Sequence, residues 1–386
     1  MQNTKITDTI QYVGTDDKTI DLFESQYIVP NGVSYNSYVI LDEKIAVMDS
    51  VDKRAEAAWF ENLERVLNGK QPDYLVVSHL EPDHSSNIQK FMEKYPQAQI
   101  VVNAKSLSML PQFFTLDMSG RSVVVKEGDE LTLGNHILTF VMAPMVHWPE
   151  VMVAYEKTEK VLFSADAFGK FGALDTEEDW ACEARRYYFN IVGKYGMQVQ
   201  ALLKKASALD ISIICPLHGP VLSENLDFYL GKYQTWSSYE PEDKGILVAY
   251  ASIHGNTGKA AEKLAELLRE KGAEKVVVKD LARADIAEAV EDAFRYDRMV
   301  LAAATYDAGI FPCMDSFLAR LKSKNYQKRT VGIMENGSWA PMAGKIMKES
   351  LSQMKEITIL EPVVTIKSAL NTASEEQLEL LAQALL

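Results

Sequence analysis

The sequence has 386 residues, a length that predicts two or three domains. Its 47% hydrophobic and 24% charged residues exclude a disordered or collagen-like chain. The net charge of −14 opposes binding to a phosphate backbone, so we expect no nucleic-acid partner. No apolar run is long enough to cross a bilayer, and the N-terminus lacks the apolar core of a signal peptide. The three cysteines are far apart and form no CxxC pair, so we expect a reduced, cytoplasmic protein.

The first part of the chain predicts many short strands with interspersed helices. Runs rich in β-branched residues favour strands at 35–41, 44–48, 74–78, 99–102, 122–125, 136–140, 151–155 and 161–163. Helical periodicity occurs at 55–67, 85–94 and 199–208. This mixture predicts sheets packed between helices.

The polar stretch at 239–245 contains Pro and Gly and predicts a domain boundary. Strands are predicted beyond it at 246–250, 275–278, 299–304, 330–334 and 357–360, with helices between them, notably at 259–271 and 314–323. Five such alternations predict a doubly wound parallel sheet of flavodoxin-like size. We therefore predict one domain over residues 1–242 and a second over residues 245–386.

Metal-binding residue types concentrate in the loop at 78–86 and at three later strand ends. The loop contains His79, Glu81, Asp83 and His84, and the strand-like runs are followed by His147, Asp166 and His218. A sheet would bring such strand ends to a common edge, and imidazole with carboxylate suits iron, manganese or zinc. Because seven ligands are too many for one zinc ion, the set predicts two metals, with Asp166 the natural bridging carboxylate.

Simpler interpretations exist for each residue alone. A lone histidine after a strand is usually a hydrogen-bonded structural residue, and Asp83 could cap a helix that starts at His84. The combination favours the metal site. His136 is predicted to be a surface or core residue, residues 148–150 to shape a pocket wall, and Cys215 to be a small core residue.

Three loops after predicted strands of the second domain favour a phosphate-bearing ligand. The loop at 251–258 offers backbone N–H groups, two hydroxyls and a helix N-terminus, although a plain tight turn fits it equally well. The loops at 305–311 and 335–341 follow later strands, and doubly wound sheets bind ligands at these carboxyl ends. Tyr306 and Trp339 could face an isoalloxazine ring, or be core or lid residues. The candidate cofactor-binding residues are Ser252, Ile253, His254, Gly255, Asn256, Thr257, Thr305, Tyr306, Asp307, Ala308, Gly309, Asn336, Gly337, Ser338 and Trp339.

The motif His79-x-Glu81-x-Asp83-His84, together with these loops, resembles the flavodiiron proteins (A-type flavoproteins) over nearly the whole chain. The resemblance implies an α/β chain: an N-terminal metallo-β-lactamase-like αββα sandwich that holds two Fe ions, then a flavodoxin-like doubly wound domain that holds FMN. It assigns His79, Glu81 and His147 to one iron and Asp83, His84 and His218 to the other, with Asp166 bridging. It implies no catalytic residue beyond these ligands.

By the same resemblance, the chain would be an oxidoreductase that reduces O2 to water, NO to N2O, or both. FMN would deliver the electrons, with rubredoxin or another external donor upstream, and a head-to-tail homodimer or dimer of dimers would bring FMN to the irons. Two alternatives remain. A zinc-dependent hydrolase of the metallo-β-lactamase class with a flavodoxin-like appendage is disfavoured by Glu81 and the FMN loops, and a non-catalytic electron carrier is disfavoured by the intact metal set.

Overall fold

The computed structural model describes residues 5–118 and 120–386, which divide into two compact units. Unit 1 comprises the described residues up to 187 together with 197–234, and unit 2 comprises 188–196 and 235–386. Across the described ranges, no helix combines the length and the apolar character that a membrane crossing requires.

Unit 1 contains fifteen strands among its described residues. They are β1 (Ile10–Tyr12), β2 (Thr15–Asp17), β3 (Leu22–Phe23), β4 (Tyr27–Ile28), β5 (Val33–Tyr35), β6 (Tyr38–Ile40), β7 (Ala46–Met48), β8 (Tyr74–Val76), β9 (Gln99–Asn103), β10 (Ser122–Val125), β11 (Glu130–Thr132), β12 (Ile137–Met142), β13 (Met152–Glu156), β14 (Val161–Phe163) and β15 (Ile213–Cys215). Six form a sheet in the order β1-β6-β7-β8-β9-β10, and five form a second sheet in the order β11-β12-β13-β14-β15. The two short pairs β2-β5 and β3-β4 lie outside these sheets.

One hydrophobic core joins the two main sheets of unit 1. Val76 and Val101 from the first sheet pack in the same buried cluster as Phe140 and Phe163 from the second. Alternate residues of a strand point to opposite faces, so the inner face of each sheet contributes every second residue. This confirms the predicted sandwich. Cys215 belongs to the same core, as predicted.

The helices that begin in unit 1, or at its border, are α1 (Glu56–Leu67), α2 (Pro82–Ser85), α3 (Ile88–Lys94), α4 (Ala104–Phe113), α5 (Trp180–Tyr187), α6 (Gly196–Ala206) and α7 (Leu226–Ser237). The prediction of one helix over 85–94 is wrong. Two helices form instead. Helix α2 starts earlier than predicted, because Pro82 occupies its first turn, where the missing N–H of proline costs nothing, and helical structure is interrupted between Ser85 and Ile88. The capping interpretation of Asp83 is also wrong, because this residue lies inside α2.

Unit 2 contains the strands β16 (Asp243–Ala251), β17 (Val276–Asp280), β18 (Tyr296–Tyr306), β19 (Gly309–Ile310), β20 (Arg329–Asn336), β21 (Ile357–Ile359) and β22 (Val364–Ile366). Its helices are α8 (Asn256–Glu270), α9 (Ile286–Arg295), α10 (Pro312–Ser323), α11 (Ala343–Leu351) and α12 (Thr372–Ala384). The main strands pair in parallel in the order β17-β16-β18-β20-β21, the flavodoxin-like order of doubly wound sheets. The predicted doubly wound sheet is confirmed.

The predictions for unit 2 miss two features of the structure. Helix α8 starts three residues earlier than predicted, at the residue after Gly255. The predicted strand at 357–360 is confirmed as β21, but the next strand, β22, which also pairs with β20, was not predicted. The segment between them contains Pro362, which cannot donate a ladder hydrogen bond.

Candidate functional site

Three predicted metal-binding residues of unit 1 occupy the same place relative to their strands. His79 comes three residues after β8, Asp166 three residues after β14, and His218 three residues after β15. Each strand is one of a parallel pair, β8 in the first sheet and β14 and β15 in the second, so its carboxyl end delivers the next residues to an edge of its own sheet. His147 comes from the connection between the antiparallel strands β12 and β13.

The first group of candidate ligands comprises His79, Glu81, His147 and Asp166, whose ligand atoms all lie within 4.8 Å of one another. Nε2 of His147 lies 2.8 Å from Oε2 of Glu81 and 3.0 Å from Oδ2 of Asp166. Nε2 of His79 lies 3.1 Å from the same Asp166 oxygen. Two imidazoles and two carboxylates that converge in this way form a donor set suited to iron.

The second group comprises Asp83, His84 and His218, all buried. Nε2 of His218 lies 3.1 Å from Nε2 of His84 and 3.1 Å from Oδ2 of Asp83. Nε2 of His84 lies 3.5 Å from the same Asp83 oxygen. The structure therefore brings His84 into this group, with its Nε2 facing the other two side chains.

Asp166 lies between the two groups. Its Oδ2 faces His79 and His147 of the first group, while its Oδ1 lies 3.9 Å from Nε2 of His218 in the second. A carboxylate with one oxygen toward each group has the placement that a bridging ligand requires. The seven predicted residues thus form one continuous cluster.

Backbone oxygens orient two of the histidine rings. Nδ1 of His218 lies 2.7 Å from the carbonyl oxygen of Ser34, and Nδ1 of His84 lies 3.4 Å from that of Ser50. When Nδ1–H donates to a carbonyl, Nε2 is left without a proton and can bind a metal. Both rings therefore present the correct nitrogen to the cluster.

Two buried carboxylates hold the loop that carries His79 and Glu81. Asp49 accepts hydrogen bonds from the backbone N–H of Ser78 at 2.7 Å and from its hydroxyl at 3.0 Å. Glu150 accepts the backbone N–H of Leu80 at 2.9 Å, which refines the predicted role of residues 148–150. The sequence analysis missed Asp49. The sequence feature that could have identified Asp49 is its place directly after β7, a strand that is buried at all three positions.

Burial and mutual charge shift the pKa values within the cluster. Burial alone would raise the pKa of Asp166, but His79 and His147 outweigh burial and hold it well below its usual range. Burial, followed by repulsion from Asp83, raises the pKa of Glu81 to about 7. Burial lowers the pKa of His84 to about 4, which keeps this imidazole in the neutral form that binds metals.

The cluster fits a pair of metal ions because several of its buried atoms make no well-formed hydrogen bond. Among the described residues these atoms are Oδ1 of Asp83 and Asp166, and also Nε2 of His79 and His147, which lie close to carboxylate oxygens without the geometry of a hydrogen bond. Leaving such an atom unsatisfied costs about 1–3 kcal/mol. All four atoms belong to the two groups, where a metal ion would satisfy them.

A third group, His136 with Glu156 and Glu159, also combines histidine with carboxylates, but its polar atoms already make hydrogen bonds. Nδ1 of His136 bonds to Asp42 at 2.7 Å, and its Nε2 lies 3.0 Å from the hydroxyl of Thr9. Both oxygens of Glu156 accept backbone N–H groups of the following turn. Because its atoms already have partners, this group is structural. His136 is buried, in agreement with the core alternative of the prediction.

Unit 2 contains a pocket of about 580 Å³ beside the carboxyl ends of its central strands. This volume lies within the usual range for cofactor sites. The pocket is lined by Ser252, Ile253, His254, Asn256, Thr257, Ala304, Thr305, Tyr306, Asp307, Ala308, Asn336, Gly337, Ser338, Trp339, Ala340, Met342 and Ser368. Thirteen of the fifteen candidate cofactor-binding residues are therefore brought together.

The two candidates outside the lining, Gly255 and Gly309, shape their loops. Gly255 precedes α8 with a φ of +91°, which L side chains rarely adopt, and Gly309 pairs with Tyr306 in a tight hairpin. No described side chain caps the first N–H groups of α8, so they are available to a phosphate. The lining includes no lysine or arginine.

The sequence analysis missed a fourth loop of this pocket. Ser368, two residues after β22, exchanges backbone hydrogen bonds with the Asn336 amide at 2.9 and 3.0 Å, and its hydroxyl lies 2.5 Å from that of Ser338. Trp339 is 92% exposed and Tyr306 is 44% exposed, so neither is a core residue. The alternative that these aromatic residues fill the core is wrong.

Comparisons with known proteins agree with this two-part arrangement. The family described as ODP family beta lactamase matches residues 33–219, and the family described as flavodoxin domain matches residues 247–376. The chain is 29% identical to the rubredoxin-oxygen oxidoreductase of Megalodesulfovibrio gigas, covering 100% of this chain and 98% of that protein. It is 28% identical to the nitric oxide reductase of Moorella thermoacetica, covering 95% and 94%. A solved structure, a mutant of the flavo di-iron protein from Thermotoga maritima, superposes with a TM-score of 0.87 at 26% identity, covering 98% and 96%.

The fold and the two sites define a protein with a metallo-β-lactamase-like domain followed by a flavodoxin-like domain. The relatives and structures that share this order over nearly the whole chain identify the family. The chain belongs to the flavodiiron proteins.

Proposed function

We propose that this protein is an oxidoreductase that reduces O2 to water, NO to N2O, or both, at a dinuclear non-haem iron site with electrons delivered through FMN. The observation that carries the proposal is the position of Asp166, whose two oxygens face two separate histidine–carboxylate groups. The relatives support the chemistry, because one is named as an oxygen oxidoreductase and another as a nitric oxide reductase. The di-iron part would lie within residues 1–242 and the FMN part within 245–386.

In this proposal His79, Glu81 and His147 would hold one iron and Asp83, His84 and His218 the other, and Asp166 would be shared. When bound, the irons supply a redox centre for a small gas, and FMN supplies the electrons. The role of the chain is to fix this donor set. Carbonyl oxygens of Ser34 and Ser50 keep two rings oriented, and the buried carboxylates of Asp49 and Glu150 hold the ligand loop.

In unit 2 the uncapped N–H groups at the start of α8 and the hydroxyls of Ser252 and Thr257 would hold the phosphate of FMN. The exposed rings of Tyr306 and Trp339 offer apolar faces to the isoalloxazine. The pocket therefore binds the cofactor through backbone groups, hydroxyls and aromatic surface.

Replacement of His147 by Asn tests the metal assignment. The purified protein should contain about two irons per chain, and the variant should lose at least one of them. Gas reduction should disappear while FMN stays bound. Metal analysis, the flavin absorption spectrum and rates with O2 and NO provide the readout. Zinc in place of iron, with hydrolytic activity that does not depend on flavin, would favour the alternative metallo-β-lactamase-class hydrolase.

We further infer a head-to-tail homodimer, or a dimer of such dimers, in which FMN of one subunit serves the irons of the other, with rubredoxin or another external electron donor. The family resemblance supports this inference, and so do the exposed aromatic residues at the rim of the FMN pocket. The wide spacing of the three cysteines, with no CxxC pair, supports a reduced, cytoplasmic setting.

Co-assembly of two inactive variants tests the dimer. One carries His79→Ala and His147→Ala and lacks metal. The other carries Gly255→Glu, whose carboxylate would repel the phosphate, and lacks FMN. A mixed dimer then contains one intact FMN facing one intact iron pair and should recover up to roughly half of the wild-type activity, because electron transfer needs proximity. A mixed dimer with both cofactors but no activity would contradict the head-to-tail arrangement.

A further inference from the structure

Unit 1 contains an internal cavity whose wall is entirely apolar. It lies between the sheet strands β12, β13 and β14 and the helix α6, and Val141, Val153, Leu162 and Val199 form its sides. The space open to the centre of a water-sized molecule is about 20 Å³. A cavity of this size holds a single small molecule.

The inner end of the cavity is formed by the loop that carries Asp166. Ser164, Ala167 and Phe168 of this loop line the cavity. The Ser164 hydroxyl donates to the carbonyl oxygen of Ala167 at 2.7 Å, so its polar atom is satisfied within the loop. The Phe168 N–H donates to the hydroxyl of Tyr233 at 2.6 Å. One short loop therefore presents a carboxylate to the metal cluster and apolar surface to the cavity.

The outer end of the cavity lies toward the surface of α6. Leu203, Ala206 and Leu209 line it there, and all three are half-buried, whereas the residues of the inner end are buried. The cavity thus lies between a partly exposed apolar patch and the loop of Asp166. No charged side chain lines it.

The apolar wall of the cavity favours a small, weakly hydrated molecule over water. A buried water needs two to four polar partners, which this wall does not offer, whereas apolar cavities in proteins stay dry and bind xenon. O2 and NO are small, uncharged and weakly hydrated, so they favour such surroundings over water. We propose that this cavity is a binding site for small apolar gas molecules on their way to the Asp166 loop. The identity of the gas rests on the proposed function, but the site itself does not.

Xenon under pressure, applied to crystals of the iron- and FMN-loaded protein, is the probe. We expect one xenon atom between α6 and β13. Ala206→Leu adds apolar volume to the lining and should remove this xenon peak. Ala201→Leu is the matched control, because Ala201 lies on the exposed side of the same helix, and it should keep the peak. Absence of xenon from the wild-type cavity, or an unchanged peak in Ala206→Leu, would overturn the proposal.

Steady-state kinetics test whether the cavity serves the reaction. Ala206→Leu should raise KM for the gas by roughly twofold or more while kcat stays unchanged, because access and not chemistry is affected. Ala201→Leu should change neither constant. A xenon site whose blockage leaves KM unchanged would overturn the access role. If the wild-type protein binds xenon but reduces neither O2 nor NO, the proposed function fails while the gas-binding site stands.

Discussion

The metal cluster of unit 1 and the pocket of unit 2 are built on opposite principles. The cluster is largely buried, with only Glu81 and His147 half-buried, and its seven ionisable side chains come from segments up to 139 positions apart, since His218 and His79 differ by 218 − 79 = 139. The pocket is open, its lining has no lysine or arginine, and it offers mainly backbone groups, hydroxyls and aromatic faces. A metal site depends on which side chains are present, whereas this cofactor pocket depends on where loops leave the sheet.

Asp166→Asn tests the dependence of the cluster on side-chain identity and has the largest expected effect. Asparagine keeps the size of the side chain but removes the charge that both groups share. We expect loss of more than half of the iron and a fall in gas-reduction rate of about 100-fold or more. Bound FMN should not change, because Asp166 belongs to unit 1 alone.

The matched control for this variant is His136→Gln, in the group of unit 1 that resembles a metal site but is fully hydrogen-bonded. This control should keep its iron and its activity, although it is less stable. Two irons per chain in Asp166→Asn would show that the carboxylate is not shared.

Trp339→Ala tests whether the pocket of unit 2 binds its cofactor partly through the exposed aromatic surface. The ring is 92% exposed and should contribute contact area to the flavin and little to folding. We expect FMN to bind about tenfold more weakly, a change of about 1.4 kcal/mol, with iron content unaffected. Titration of the FMN-free protein with FMN measures this.

Leu380→Ala is the control for that titration, because Leu380 is an exposed apolar residue of the same unit that does not line the pocket. It should leave FMN affinity unchanged. Equal weakening by both variants would mean that Trp339 acts through stability and not through contact.

The two sites also differ in how well the sequence predicts them. His79, Glu81, Asp83 and His84 stand out because four ligand-type residues lie within six positions. Asp49 did not stand out, because a single buried acid has no spacing pattern, and its role depends on how β7 lies beside β8.

For the pocket, the loops after predicted strands were found, but Ser368 was missed. Ser368 follows β22, a strand that was not predicted, because the predicted strand at 357–360 covers β21 alone. Pairing of both segments with β20 is a tertiary effect that local propensity does not contain. The fold class can be predicted from periodicity, whereas the pairing of a short additional strand such as β22 depends on packing.

Asp42→Asn has the smallest expected effect on cofactor content and activity, and it separates structural charge from metal-binding charge in unit 1. Burial would raise the pKa of Asp42, but hydrogen bonds from the backbone and ring of His136, with others from Glu43 and Asn135, lower it below its usual range. We expect the variant to lose about 2 kcal/mol of unfolding free energy at neutral pH.

The pH dependence gives the sign of this effect. A depressed pKa in the folded state stabilises the protein fully above the unfolded-state pKa of about 3.9, and the contribution is lost as pH falls through the folded-state value. The difference between wild type and Asp42→Asn should therefore be constant near pH 7 and shrink below about pH 4. A difference that grows on acidification would contradict this assignment. Denaturant unfolding at several pH values measures it.

The most direct test of the proposed dinuclear site is anomalous X-ray scattering at the iron edge from crystals of the purified protein. We expect two iron peaks per chain, one among His79, Glu81 and His147 and one among Asp83, His84 and His218, with the Asp166 carboxylate between them. A single peak, or a signal at the zinc edge in place of iron, would contradict it.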